Sequence, residues 1–156
     1  MHQQQHSTMR LTLIERIESL KAAILSGSIT VLVFSLFMVF NDVILIQQLH
    51  LFPPLTTNLI LQRLIQAIIA AMSGFLFGVT YRYIVRSDQS FHLSSGAVLA
   101  FGLVRGLGEV EIGLNTQNNG LLFTVMVVES ILLFAAAQVM LDVALKQGWI
   151  KPFQSN

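Results

Sequence analysis

The sequence predicts an all-α membrane protein with four transmembrane helices arranged as two hairpins, both termini on one side. Three observations predict it. Apolar residues make up 54% of the 156-residue chain and charged residues only 11%, against about 25% charged in a soluble domain. Uncharged runs long enough to cross a bilayer recur along the chain. The basic residues gather on one side of the topology that those runs imply.

A helix needs ~20 mostly apolar residues to cross a hydrocarbon core of ~30 Å. Ala22 to Asn41 carries no charge for 20 residues, and Leu64 to Tyr81 none for 18. Leu121 to Leu141 spans 21 residues with Glu129 as its one charge. The stretch from Leu93 stays uncharged for only 12 residues, through Val104. It reaches full length only by running on to about Leu114, past Arg105 and Glu109; a re-entrant segment is the alternative. The expected spans are thus 22–41, 64–81, 93–114 and 121–141, within a single domain over 10–148.

The first span is longer than the ~7–15 apolar residues of a signal peptide, and no small-residue cleavage site follows it, so it reads as an uncleaved anchor. Residues 1–9, "MHQQQHSTM", read as a disordered polar tail, in which the helical-ligand spacing of His2 and His6 has no rigid frame. Thr12 and Glu15 form a T-x-x-E capping box, which marks a helix start. Leu13, Ile17, Leu20 and Ile24 share one face, and Glu15, Arg16 and Ser19 another. That pattern suits an amphipathic lead-in at the interface or the solvated end of a long helix. "LHLFPPLTTN", with Pro53 and Pro54, forms the first outer loop, and "GLNTQNNG" the second. Gly148 and then Pro152 end the last helix, leaving 149–156 as a C-terminal tail.

Arg10, Arg16, Lys21, Arg82, Arg86, Lys146 and Lys151 fall on the side of the termini, and only Arg63 and Arg105 on the other. Basic residues stay on the cytoplasmic side, so both termini are expected there, or in the stroma of a plastid-type membrane. Tyr81 and Tyr83 beside Arg82 and Arg86, and Trp149 beside Lys151, have the ring-plus-cation pattern of headgroup anchors.

The chemistry concentrates in "FGLVRGLGEVE", Phe101 to Glu111. Counted from Leu93, Arg105 lies ~12 Å below the outer boundary. Glu129, counted from Leu121, lies at the same depth on the next, antiparallel helix. An intramembrane Arg105–Glu129 pair is therefore expected, because each charge alone costs ~2.5–3.5 kcal/mol on insertion scales. Such a pair either locks two helices or lines a polar site for an ion, a headgroup or a partner's charge. Gln138 and Gln66 are further polar candidates. Gly74 with Gly78, and Gly102 with Gly106, have the four-residue spacing that lets helices approach closely. They suggest tight packing between the second and third helices, or a face for another protein. Gly106, Gly108 and Gly113 weaken the end of the third helix, so it is expected to unwind there and present Glu109 and Glu111 as outer-face acids.

Other chemistry is missing. Without cysteines there are no disulfides or thiolate sites, and the redox compartment is left open. No G-x-S-x-G, H-E-x-x-H, phosphate loop or dinucleotide fingerprint occurs. His50 falls in a loop and His92 at the mouth of the third helix, which leaves no bis-histidine haem site in the spans. No enzyme, metal, cofactor or nucleic-acid partner is expected.

The stretch "YRYIVRSDQSFHLSSGAVLAFGLVRGLGEVE", Tyr81 to Glu111, resembles a family of uncharacterised small four-helix membrane proteins of cyanobacteria and plastids. The resemblance rests on Y-R-Y-x-x-R-x-D followed by H-L-x-S-G-A-V-L-A-F-G-L-V-R-G-L, and covers about a fifth of the chain. It implies a thylakoid or plasma membrane of a photosynthetic organism and carries no established activity. The expected function is that of an accessory or assembly factor docked on a larger membrane complex, or a homo-oligomer. The alternative is a small transporter or channel subunit using Arg105 and Glu129.

Overall fold

The computed structural model describes residues 2–49, 57–85, 91–114 and 120–151. They form four helices, α1 (His2–Leu49), α2 (Thr57–Ile84), α3 (Phe91–Leu114) and α4 (Gly120–Lys146), and no strand among the described residues. Each contains a segment long and apolar enough to cross a membrane: Glu15–Val43, Ile60–Ile84, His92–Glu111 and Thr124–Lys146. All four expected spans fall inside these helices. The tips of both expected outer loops, His50 included, lie outside the described residues.

Two expectations about helix ends differ from the structure. α1 runs through the segment read as a disordered tail, and Thr12 lies inside it rather than at a start. The physical reason is that nothing before Gly27 breaks a helix: the segment holds no proline and is rich in Gln, Leu, Arg and Glu, which are good helix formers. α3 is likewise continuous to Leu114, so it does not unwind at Gly106 or Gly108. The α3 backbone hydrogen bonds outweigh the cost of two glycines, roughly 1 kcal/mol each in water.

Glycine sets how the helices pair. Gly27 of α1 lies against Ala71, Gly74 of α2 against Thr30, and Gly78 against Ala22 and Ser26. Residue numbers rise on one helix as they fall on the other, so α1 and α2 are antiparallel. The Thr30 hydroxyl lies 3.1 Å from the carbonyl of Ala70, adding a hydrogen bond across this seam. On the other pair, a Cβ at Gly102 would lie 2.8 Å from Cα of Ile131, and one at Gly106 2.8 Å from Cα of Val127. α3 and α4 are therefore antiparallel too. The expected close packing of α2 on α3 does not occur: both glycine pairs face other helices, and α2 and α3 approach only sparsely. Small residues show that a face packs closely, but not against which neighbour.

The distribution of polarity is inverted relative to a soluble bundle. Val104 is 75% exposed, while its neighbour Arg105 is 9% exposed. Leu36, Phe40, Met72, Leu107 and Val139 also face outward, whereas Glu18, Ser19, Ser26, Thr30, Ser94 and Ser130 are buried. Leu13, Ile17, Leu20 and Ile24 point out and Glu18 and Ser19 point in, so the inversion extends down α1. In a soluble protein the exposed large apolar surface would seek cover; in a bilayer it matches the solvent.

α4 ends in a Schellman motif. Trp149 donates to the carbonyl of Ala144 at 2.9 Å and Gly148 to that of Leu145 at 3.2 Å. Gly148 takes φ +74°, the left-handed conformation that this motif requires. The chain then folds back, and Ile150 enters the core.

Candidate functional site

The buried polar groups form two clusters along the bundle interior, separated by aromatic rings. α4 shows the arrangement most simply. Ser130, Phe134, Gln138 and Asp142 recur every four residues, which places them near one face of a helix. α3 contributes Ser94, Phe101, Arg105 and Glu109 to the same interior.

The outer cluster is built around Arg105. Its Nη2 donates to Glu109 Oε1 at 2.7 Å, one turn along its own helix. Ser130 of α4 donates to the other Glu109 oxygen at 3.1 Å. Glu129 Oε1 accepts from Asn41 Nδ2 of α1 at 3.1 Å. The Arg105 guanidinium carbon lies 5.5 Å from the centre of the Phe34 ring, a cation–π distance. Its Nε and Nη1 are buried without a hydrogen-bond partner. At the rim, Arg63 pairs with Asp42 at 2.9 Å and ties α2 to α1.

This corrects the expected Arg105–Glu129 pair. Both residues lie at the outer cluster, but Arg105 bonds Glu109 and Glu129 bonds Asn41. The i,i+4 position brings Glu109 within reach without crossing between helices. Glu109 is thus drawn inward, with a side chain 27% exposed, and is not an outer-face acid; Glu111 remains exposed. Glu109 takes both the Arg105 ion pair and the Ser130 hydrogen bond, and Asn41 partners Glu129.

Below this cluster, Phe77, Phe101 and Phe134 close the interior. Their ring centres lie 5.2 to 5.6 Å apart, within the range of favourable tilted ring pairs. Below them is the inner cluster. Tyr81 donates from its hydroxyl to Asp142 Oδ1 at 2.6 Å, joining α2 to α4. Gln138 donates to Ser94 at 3.2 Å, joining α4 to α3. Among the described residues no group of three or more His, Asp or Glu could hold a metal ion.

No family model, curated protein or solved structure matches this chain. The reading of the site rests on its own geometry.

Three important residues escaped the sequence reading. Asp142 lies one residue beyond the expected fourth span. Tyr81 and Arg82 looked like headgroup anchors, yet they are 1% and 2% exposed. Arg82 donates to the carbonyls of Glu15, at 2.7 Å, and Lys151, at 2.9 Å, and to the Ser19 hydroxyl. Glu18 accepts from the Lys151 amide at 3.1 Å and from Lys21 at 2.9 Å. This clasp binds α1, α2 and the segment after α4. The available signal was angular: Gly74, Phe77, Gly78, Tyr81 and Arg82 step by three or four residues or sit beside one that does, so Tyr81 and Arg82 continue the packed face. Tyr83 and Trp149 are exposed, as interfacial anchors require.

Proposed function

We propose that the chain is an integral membrane protein without a catalytic centre, in which α1–α2 and α3–α4 are two hairpins with both termini on the cytoplasmic or stromal side. It acts as an accessory or assembly subunit of a larger membrane complex, or as a homo-oligomer. The resemblance over Tyr81–Glu111 suggests a thylakoid, plasma or plastid-type membrane and a photosynthetic complex. The observation that carries this reading is that the close glycine packing and most buried polar groups are satisfied within one chain, while the outer surface is apolar. A rigid, closed bundle of this kind meets lipid and other subunits through its exterior. Exposed Arg16, Lys21, Lys146 and Lys151 add a basic belt at one end.

The test compares abundance with activity in the native membrane. The accessory reading predicts that Gly78→Leu or Arg105→Gln lowers the abundance of this protein or of its partner. Loss of function on Glu129→Gln at unchanged abundance would instead favour a small transporter or channel subunit. That second reading has its own support in the buried, unbonded Nε and Nη1 of Arg105, whose guanidinium also meets the Glu109 carboxylate and the Phe34 ring.

A further inference from the structure

We propose that the bundle interior is a proton route held shut by the Phe77–Phe101–Phe134 layer. This deepens the transporter reading and rests on it. The outer cluster supplies Glu129, Glu109, Arg105, Ser130 and Asn41, and the inner one Tyr81, Asp142, Gln138 and Ser94. Every polar bond described above in these clusters lies on one side or the other of the aromatic layer.

On α4 the polar residues flanking the layer, Ser130 and Gln138, are eight positions apart, roughly 12 Å at 1.5 Å per residue. Phe134 stands midway. Phe134 is thus the apolar step between the two clusters along α4. Hydrophobic constrictions of this kind close a path by excluding water.

The chemistry selects the proton. Carboxylates arranged in series are the usual elements of membrane proton relays. A four-helix interior packed with rings has no room for a hydrated metal ion. A proton needs only a short file of water between hydrogen-bonding side chains. It is taken up by an outer carboxylate, Glu129 or Glu109, and passes across the wetted layer to the Gln138, Ser94 and Tyr81 groups. It leaves from Asp142, which returns to its starting state, as does the outer acid. Glu109 of α3 is the charged neighbour of Glu129; α1 presents the uncharged Asn41 there.

The experiment uses the full chain in liposomes loaded with a pH-sensitive dye, with an external pH step and valinomycin to balance charge. The wild type is expected to hold the gradient nearly as well as protein-free vesicles. Phe101→Ala and Phe134→Ala should collapse it several-fold faster, and adding Glu129→Gln or Asp142→Asn should abolish that leak. Leu133→Ala creates a cavity one residue away, about 100° around the helix, and should stay tight. Should an alanine variant fail to fold, Phe101→Leu and Phe134→Leu serve in its place. Tight vesicles with helical, monodisperse phenylalanine variants overturn the proposal, as does an equal leak from Leu133→Ala or one indifferent to the carboxylates. A wild type that already conducts also overturns the shut layer but leaves the transporter reading standing. Failure of that reading shows separately, as unchanged function on Glu129→Gln in the native membrane.

Discussion

Arg105 draws its energetics from its own helix. Its ion pair with Glu109 is intrahelical, whereas Glu129 is bonded across to α1. A double-mutant cycle with Arg105→Gln and Glu109→Gln should therefore show coupling of about 1 kcal/mol, in the range measured for polar contacts within membranes. The cycle with Glu129→Gln should be additive to within about 0.5 kcal/mol. Both are read from unfolding in mixed detergent micelles. The presence of costly charge was legible in the sequence, because Arg105 and Glu129 interrupt apolar runs. Their partners were not, because depth along a helix leaves its rotation and side-chain rotamers open. The glycines give a second prediction at this scale. Gly102→Ala and Gly106→Ala would drive a Cβ into the α4 backbone and should cost about 1–3 kcal/mol, the usual range for overpacking. Gly96→Ala and Gly108→Ala meet nothing within 4 Å and should be neutral or stabilising in the same assay.

Helices were legible where an uncharged run approached bilayer length, and their ends were less so. α1 begins far earlier than its capping box suggests because a T-x-x-E pattern marks a start only where the preceding chain cannot continue the helix. α3 passes through its glycines because its backbone hydrogen bonds outweigh their cost, and α4 packs against Gly102 and Gly106. The clasp after α4 was the least legible element. It depends on backbone carbonyls of Glu15 and Lys151, which no side-chain pattern reveals. It makes a definite prediction: Arg82→Gln or Ile150→Ser should increase protease cleavage of the C-terminal segment and lower the unfolding midpoint. Gly148→Ala should cost roughly 1–2 kcal/mol, the penalty for an L side chain in the left-handed region. Lys146→Ala, exposed in the last turn, should have a much smaller effect.

The molecule as a whole is defined by apolar residues outside and polar residues inside. This inversion explains how a chain with so few charges can bury several of them: lipid suits the outer face, and ion pairs and hydrogen bonds inside partner most of the charged groups. Composition alone made that solvent legible. The layered interior was not legible, since it requires residues from α1, α2, α3 and α4 to meet at matched depths. The proposed topology is directly testable because the chain has no cysteine of its own. A membrane-impermeant maleimide should label Asn118→Cys on intact cells, and Ser155→Cys only after permeabilisation. Labelling of both sites before permeabilisation would break the two-hairpin topology.

The accessory role is tested most directly by purifying the tagged protein from its native membrane in mild detergent and sizing it on a native gel, with mass spectrometry of the band. An accessory subunit migrates with a larger assembly; a free homo-oligomer with no partner subunit contradicts that role and favours transport. A lone monomer, fully functional and free of any partner, would contradict the accessory role as well.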